Sequence, residues 1–296
     1  GRLIMKTVVS IDIGGTNLRV GVVDEKLNII NVLREPTTKD DNSLLYNQIK
    51  RMLSEVLNTL PEGTSLPKTC GVSACGLVSN NHIDNLVNLH ILDFDLKGLL
   101  EKDFPFLKVY IANDANCAAF SEATLGSAKN YSTSFFMTVS TGIGGCLVYN
   151  QGLIDLPFEI GHMTISYKGK FHEVERLLSG NGIVNLCSIN GLKISNAGEF
   201  FKKVKEKDNE VLKVYDEWIK QLGLLIANLQ MMFATDCFVL SGGVMKSADI
   251  FTADLKEIVN AFLAPYSIKK INFVQAEFGQ DAGLMGGASI ALASKD

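Results

Sequence analysis

SIDIGGTNLRVGVVD, residues 10–24, sets two glycines and a threonine between two apolar, β-branched runs. Glycine weakens a strand interior. Gly14 and Gly15 therefore mark either a tight hairpin or a point where the backbone must come close to a ligand. The alternation around them predicts strands over 7–13 and 18–24, with a third over 29–34. A second strand–glycine–strand unit follows in SFFMTVSTGIGGCLVYN. The pattern thus occurs twice, at Ile11–Asp24 and Phe136–Asn150, and an internal duplication is its simplest account.

Between and after these units strands alternate with helices, which predicts an α/β fold. NSLLYNQIKRMLSEVLNTL repeats Leu45, Ile49, Leu53, Val56 and Leu60 at helical spacing and stops before Pro61. KTCGVSAC and KVYIAND read as buried strands. A long helix is expected over about 211–233, then the strand CFVLSGG, a helix, INFVQAE, and the closing helix DAGLMGGASIALASK. A second half is expected to begin near Asn113.

Composition bounds the function. The chain has 296 residues, 47% of them hydrophobic and 20% charged, with a net charge of −4. That balance argues against nucleic-acid binding, which needs a basic patch. No apolar run reaches the about 18 residues of a membrane helix. The start GRLIMKTVVSIDI has no signal-peptide pattern, and its first four residues read as an addition ahead of Met5. Six cysteines without a CxxC pair read as reduced core residues of a cytoplasmic protein.

Neither glycine unit is a Walker A loop or a GxGxxG fingerprint. A turn presenting glycine N–H groups beside a Thr16 or Thr141 hydroxyl can still nest phosphate oxygens. Two such turns could clamp a polyphosphate, and the third, Ser241–Gly243, could lie along an adenosine. In NDAN, residues 113–116, Asp114 stands at a strand end and a helix start, where it either caps the helix or accepts a proton. Phosphoryl transfer to an alcohol needs such an acceptor plus cations on the phosphates. Asn113 beside it could orient the substrate. In FEIGH and EVERLLSG, His162 is either a satisfied core histidine or, with nearby glutamates, a holder of sugar hydroxyls.

DIGGTNLRVGVVD, VSACGLV, NDANCAAFSE, STGIGGCLV, EIGH, VERLLSG, VLSGGV and DAGLMGGA, in that order, resemble the ROK family of sugar kinases and repressors, from about Val8 to Ala293. The resemblance implies a two-lobed actin-like (ribonuclease H-like) ATPase fold. The small lobe would be residues 1–112, joined by the C-terminal helix 282–296, and the large lobe residues 113–281. In such proteins the sugar lies between the lobes and ATP on the larger one.

Carried over, Asp114 is the general base. Asn113, Glu159, His162 and Glu175 hold the remaining hydroxyls, with Gly76 approaching through its backbone. Asp12, Gly14, Gly15, Thr16, Thr141, Gly142 and Gly144 surround the phosphates and Mg²⁺. Gly242 and Gly243 flank the adenosine, and Arg19 stands where the family often has lysine. The implied reaction is ATP-dependent phosphorylation of a primary hydroxyl of a hexose or hexose derivative. N-acetylmannosamine is the first expectation, and glucose or a β-glucoside the alternatives. A non-catalytic sugar sensor is the rival of another class. A homodimer is common in the family.

Three departures stand out. Many members carry CxCGxxGC, a zinc motif, between the EIGH histidine and the next glutamate. Here that stretch is ISYKGKFHEVE, so no zinc is expected; the loop must hold itself and His162 must be oriented by something else. The glycine-rich run before EIGH is cut to LIDLPFEIGH, and a Pro-Gly becomes Cys75-Gly76. The repressor branch needs a helix-turn-helix region of roughly 60 to 80 residues ahead of the first glycine turn, and this sequence has no room for one.

Overall fold

The computed structural model describes residues 5–154, 156, 158–266 and 270–294. Two compact units form, Gly1–Leu125 with Gln280–Asp296, and Gly126–Gly279. In the first, β1 (Thr7–Ile13), β2 (Asn17–Asp24) and β3 (Ile29–Pro36) make an antiparallel meander, as expected from the alternation around Gly14. α1 (Asn42–Asn58) follows, capped by Asp41, whose carboxylate accepts the Leu44 N–H at 2.9 Å. The buried side chains of α1, Leu45, Ile49, Met52, Leu53 and Val56, form one stripe.

β4 (Thr69–Ala74) then pairs parallel to β1. β5 (Leu77–Ser79), β6 (His82–Leu86) and β7 (Ile91–Phe94) form a small separate sheet. α2 (Leu96–Asp103), β8 (Lys108–Asn113) and α3 (Asp114–Thr124) complete this stretch. The main sheet runs β3-β2-β1-β4-β8. β1 and β4 sit inside it and are buried on both faces.

The second unit repeats the plan. β9 (Thr133–Val139), β10 (Ile143–Tyr149) and β11 (Gly152–Leu153) are again an antiparallel meander. β12 (Thr164–Tyr167) and β13 (Lys170–Glu173) make a hairpin. The helices α4 (Glu175–Leu178), α5 (Gly180–Ile189), α6 (Ala197–Lys205) and α7 (Asn209–Phe233) follow. Then come β14 (Cys237–Ser241), α8 (Ala248–Leu263) and β15 (Asn272–Gln275).

The sheet order is β11-β10-β9-β14-β15, with β14 parallel to both β9 and β15. Position for position this is the first sheet again, a three-strand meander extended by two parallel strands. Its core centres on Trp218, which donates its indole N–H to Leu178 O at 3.0 Å and lies against Phe201 and Phe251. Each such fully buried large apolar side chain contributes roughly 1.5–3 kcal/mol.

The last helix, α9 (Ala282–Ala293), belongs to the first unit. It is apolar on all sides, and its glycines let it sit directly on β1 and β4. A Cβ on Gly71 would land on the Gly287 carbonyl oxygen, and one on Gly286 would meet the Cys117 Cβ of α3 at 2.6 Å. Ser10 Oγ donates to Leu284 O at 2.6 Å. This contact keeps α3, and with it Asp114, in the first unit; the division of the chain lies after α3. All six cysteines carry thiols, and five of them are buried.

Candidate active site

In the first unit the turn between β1 and β2 answers the question its glycines raise. Gly14 donates its N–H to Asn17 O at 3.0 Å, and a Cβ there would stand 2.7 Å from that same oxygen. Gly14 is thus required by the hairpin. Gly15 is not: its Cβ would find nothing nearer than Asn88 Cβ at 3.8 Å. The bare backbone at Gly15 opens onto a recess of about 570 Å³ lined by Asp12, Gly14, Gly15, Thr16, Arg19, Arg34 and Asp281, among others.

Asp12 and Arg19 are cross-strand partners on β1 and β2. Arg19 donates from Nε and Nη2 to Asp12 Oδ2 at 3.1 and 2.8 Å, and from Nη1 to Asp281 Oδ1 at 2.8 Å. Its cation is thus shared between two carboxylates of the recess. Burial pushes the Asp12 carboxyl above its ordinary range, and the Arg19 hydrogen bonds and charge oppose that.

At the end of β8 the structure assigns the cap. Asn113 is the N-cap of α3, its Oδ1 accepting the Asn116 N–H at 2.7 Å. Asp114 is therefore the first helical residue, with its carboxylate free of the capping role left open for it. Its partners are backbone N–H groups, that of Ala115 at 2.9 Å and its own. The side chain reaches solvent yet is closely surrounded by protein. That crowding pushes its pKa up, the Ala115 bond opposes the shift, and the charge of Asp12 adds to it. Cys75 feels both carboxylates: burial first, then Asp114 and Asp12, push its thiol up to about 11. Beside it, Gly76 is demanded by packing, since a Cβ would strike Asn85 O of β6.

The second unit gathers Glu159, His162 and Glu175. His162 Nε2 lies 4.0 Å from Glu159 Oε2, and its Nδ1 lies 3.8 Å from Glu175 Oε1. Glu175 Oε2 accepts the Ile143 N–H at 3.2 Å, tying the carboxylate to the start of β10. Gly142 packs on the same oxygen, which a Cβ there would approach to 2.7 Å. The second glycine turn is thus shaped around Glu175, with Gly144 against Thr138. The shortened stretch after His162 holds itself as the β12–β13 hairpin, turned by Lys168 and Gly169, both with positive φ. The Val174 N–H bonds Met163 O at 2.7 Å and closes its base. Of the cut run before it, Asp155 and Pro157 lie outside the described residues.

Glu173, which with His172 does not rebuild a thiolate site in the sequence, stands nearer to the His162 ring than Glu175 does, 3.5 Å from Nδ1. His162, Glu173 and Glu175 bring ligand-type atoms within 4.8 Å of one another. Among the described residues no cysteine sulfur belongs to this group.

Thr141 and Gly243 line a further recess of about 440 Å³ in this unit, together with Ser140, Gly180, Asn181 and Lys246. It receives the N-termini of α5 and α6, capped by Ser179 and Asn196. Paired helix N-termini and a lysine suit phosphate oxygens. SGNG and SNAG, the glycine-flanked starts of those helices, were the available signal for these residues. Gly242 has φ +99°, and a Cβ there would strike Val139 O, so it serves the close approach of the turn after β14 to the end of β9. Gly243 has open space around it.

A glucokinase from Halalkalibacterium halodurans is 28% identical over 94% of this chain and 93% of its own. An N-acetylgalactosamine kinase from Shewanella sp. is 28% identical over 94% of each chain. The crystal structure of a ROK hexokinase from Thermus thermophilus superimposes with a TM-score of 0.83 at 24% identity, covering 96% of this chain and 97% of that one. It shares the actin-like ATPase fold. The family model described as "ROK family" matches residues 8–294. That match spans nearly the whole chain, and the chain belongs to the ROK family.

Proposed function

We propose that the protein is an ATP- and Mg²⁺-dependent sugar kinase that phosphorylates a primary hydroxyl of a hexose derivative, N-acetylmannosamine before glucose or a β-glucoside. The observation that carries the reading is Asp114, a crowded carboxylate of raised pKa whose partners among the described residues are backbone N–H groups, on the same unit as the Gly15 recess. A raised pKa brings a carboxylate closer to the strength a general base needs. Asp114 takes the proton of the attacking hydroxyl. The Asn113 amide N–H₂ group remains a donor, since its oxygen is used by the cap. Glu159, His162 and Glu175 accept hydrogens from the other hydroxyls, which rejects acceptors that lack them. ATP would supply the phosphoryl group, and Mg²⁺ held at Asp12 of the Gly15 recess would neutralise its charge. Thr16, Gly15, Thr141 and Gly243 line the phosphate and adenosine recesses. The shortened segment before Phe158 and Cys75 in place of proline support a pocket that admits an acetamido group.

An ADP-release assay with Mg-ATP across glucose, mannose, fructose, N-acetylmannosamine, N-acetylglucosamine and cellobiose tests this. Turnover highest on N-acetylmannosamine is expected. Turnover on glucose or cellobiose alone would replace that substrate by the other. Folded protein that binds a sugar and turns over none of them would make it a sensor.

The two adjacent glycines offer a second test. Gly15→Ala is expected to melt within about 1 kcal/mol of wild type, because its methyl meets only ordinary contacts. It should raise the KM for Mg-ATP about tenfold by intruding on the phosphates, about 1.4 kcal/mol of binding. Gly14→Ala is expected to lose stability instead, by about 1–3 kcal/mol, since the methyl breaks the turn. Equal KM values for Gly15→Ala and wild type would remove the phosphates from this turn.

A further inference from the structure

We propose that Glu173 is the positioning residue of His162, accepting the Nδ1–H of the imidazole so that Nε2 is left as the lone-pair acceptor for a substrate hydroxyl. Imidazole tautomers are set by whatever the second nitrogen bonds. Two carboxylates stand on the Nδ1 side, and Glu173 Oε1, at 3.5 Å, is the nearer. Glu175, at 3.8 Å, already spends its other oxygen on the Ile143 N–H. Glu159 stands on the Nε2 side instead.

Glu173 is itself held from two directions. Its Oε2 accepts Arg176 Nε at 3.0 Å. Its backbone pairs with Thr164 at the base of the β12–β13 hairpin, two residues after His162, and the Val174–Met163 bond closes that base. Strand alternation turns His172, the neighbouring imidazole, to the other face. The hairpin thus delivers a fixed carboxylate to the ring nitrogen that faces away from Glu159. The part played in sugar binding rests on the kinase reading; the orientation of the ring does not.

The test uses the full chain, with four histidines to assign, and reads imidazole ¹⁵N shifts at a pH where imidazoles are neutral. His162→Gln identifies the resonances. Wild type is expected to show the Nδ1–H tautomer at His162 and Glu173→Ala a shift towards Nε2–H, with Glu173→Gln, which keeps an acceptor oxygen, recovering most of the wild-type signal. In the ADP-release assay Glu173→Ala should raise the sugar KM by about 10- to 100-fold, the loss of one charge-assisted hydrogen bond, with the KM for Mg-ATP within about twofold. A His162 that stays Nδ1–H in Glu173→Ala would overturn the assignment. So would wild-type His162 resonances that move on dialysis against a chelator, which would put a cation between ring and carboxylates. The tautomer readout needs no turnover, so a wild type inactive on every sugar refutes the kinase and leaves this result standing by itself.

Discussion

Asp114→Asn is expected to lower kcat by about 10²- to 10⁴-fold, the usual share of a positioned general base, while the KM for sugar changes little. The amide keeps the size of the carboxylate and can still accept the Ala115 N–H, but it cannot take the hydroxyl proton. The same change is expected to raise the melting temperature. A carboxyl whose pKa is higher folded than unfolded holds its proton more tightly in the folded protein. The stability tied to that proton is present at low pH and is lost as pH rises through the folded pKa. Near neutrality the ionised, crowded Asp114 is therefore a cost to the fold, increased by Asp12, and Asn removes it. In wild type the acid limb of kcat/KM should lie above the ordinary aspartate range, because the base must be ionised to act. Near-normal turnover by Asp114→Asn would refute the base; an unchanged or lower Tm would refute the account of its pKa.

Gly71→Ala is expected to cost more than about 4 kcal/mol, a rare loss for one methyl and a large part of the stability of an ordinary domain. The added Cβ would fall on the Gly287 carbonyl oxygen, with Gly287 C at 2.6 Å and Ala291 N at 3.2 Å. All three are backbone atoms of α9, so no side-chain rotation relieves the clash, and the helix must leave β1 and β4. Gly243→Ala, with nothing within 4 Å of its Cβ, is the control and should melt within about 0.5 kcal/mol of wild type. Denaturant unfolding of both variants measures the difference. A Gly71→Ala protein as stable as the control would mean that α9 is not packed as described.

The parts of the fold legible in the sequence are those where period and burial agree. β1, β2, α1, α7, β14 and α9 were marked by alternation, by a 3.6-residue stripe, or by unbroken apolar runs. The β5–β7 sheet and the β12–β13 hairpin were not. HIDNL and KFHE carry no clear period and too few apolar residues, and their pairing is fixed by contacts distant in sequence. The site divides the same way. Gly14, Gly15, Asn113, Asp114 and His162 sit in motifs with local signatures, although only coordinates could separate the capping role of Asn113 from Asp114. Glu173 lies two residues from Glu175 and looks like its duplicate; hairpin register alone brings it to Nδ1. Asn181, Asn196 and Lys246 line one recess from three separate helix or loop ends, a juxtaposition no window of sequence contains.

The placement of α9 governs the order in which the protein can be completed on the ribosome. β1 and β4 precede the second unit in the chain, yet the helix that covers them follows the whole of it. Until residues 282–293 emerge, the face formed by Val8 and Val23 lacks Ala288 and Ala291, and Gly71 faces no backbone. A nascent chain therefore carries an unsealed apolar sheet while the whole of the second unit is made, the kind of surface that chaperones hold and that aggregation exploits. Translation arrested anywhere before α9 leaves that sheet uncovered, and only residues 282–293 seal it.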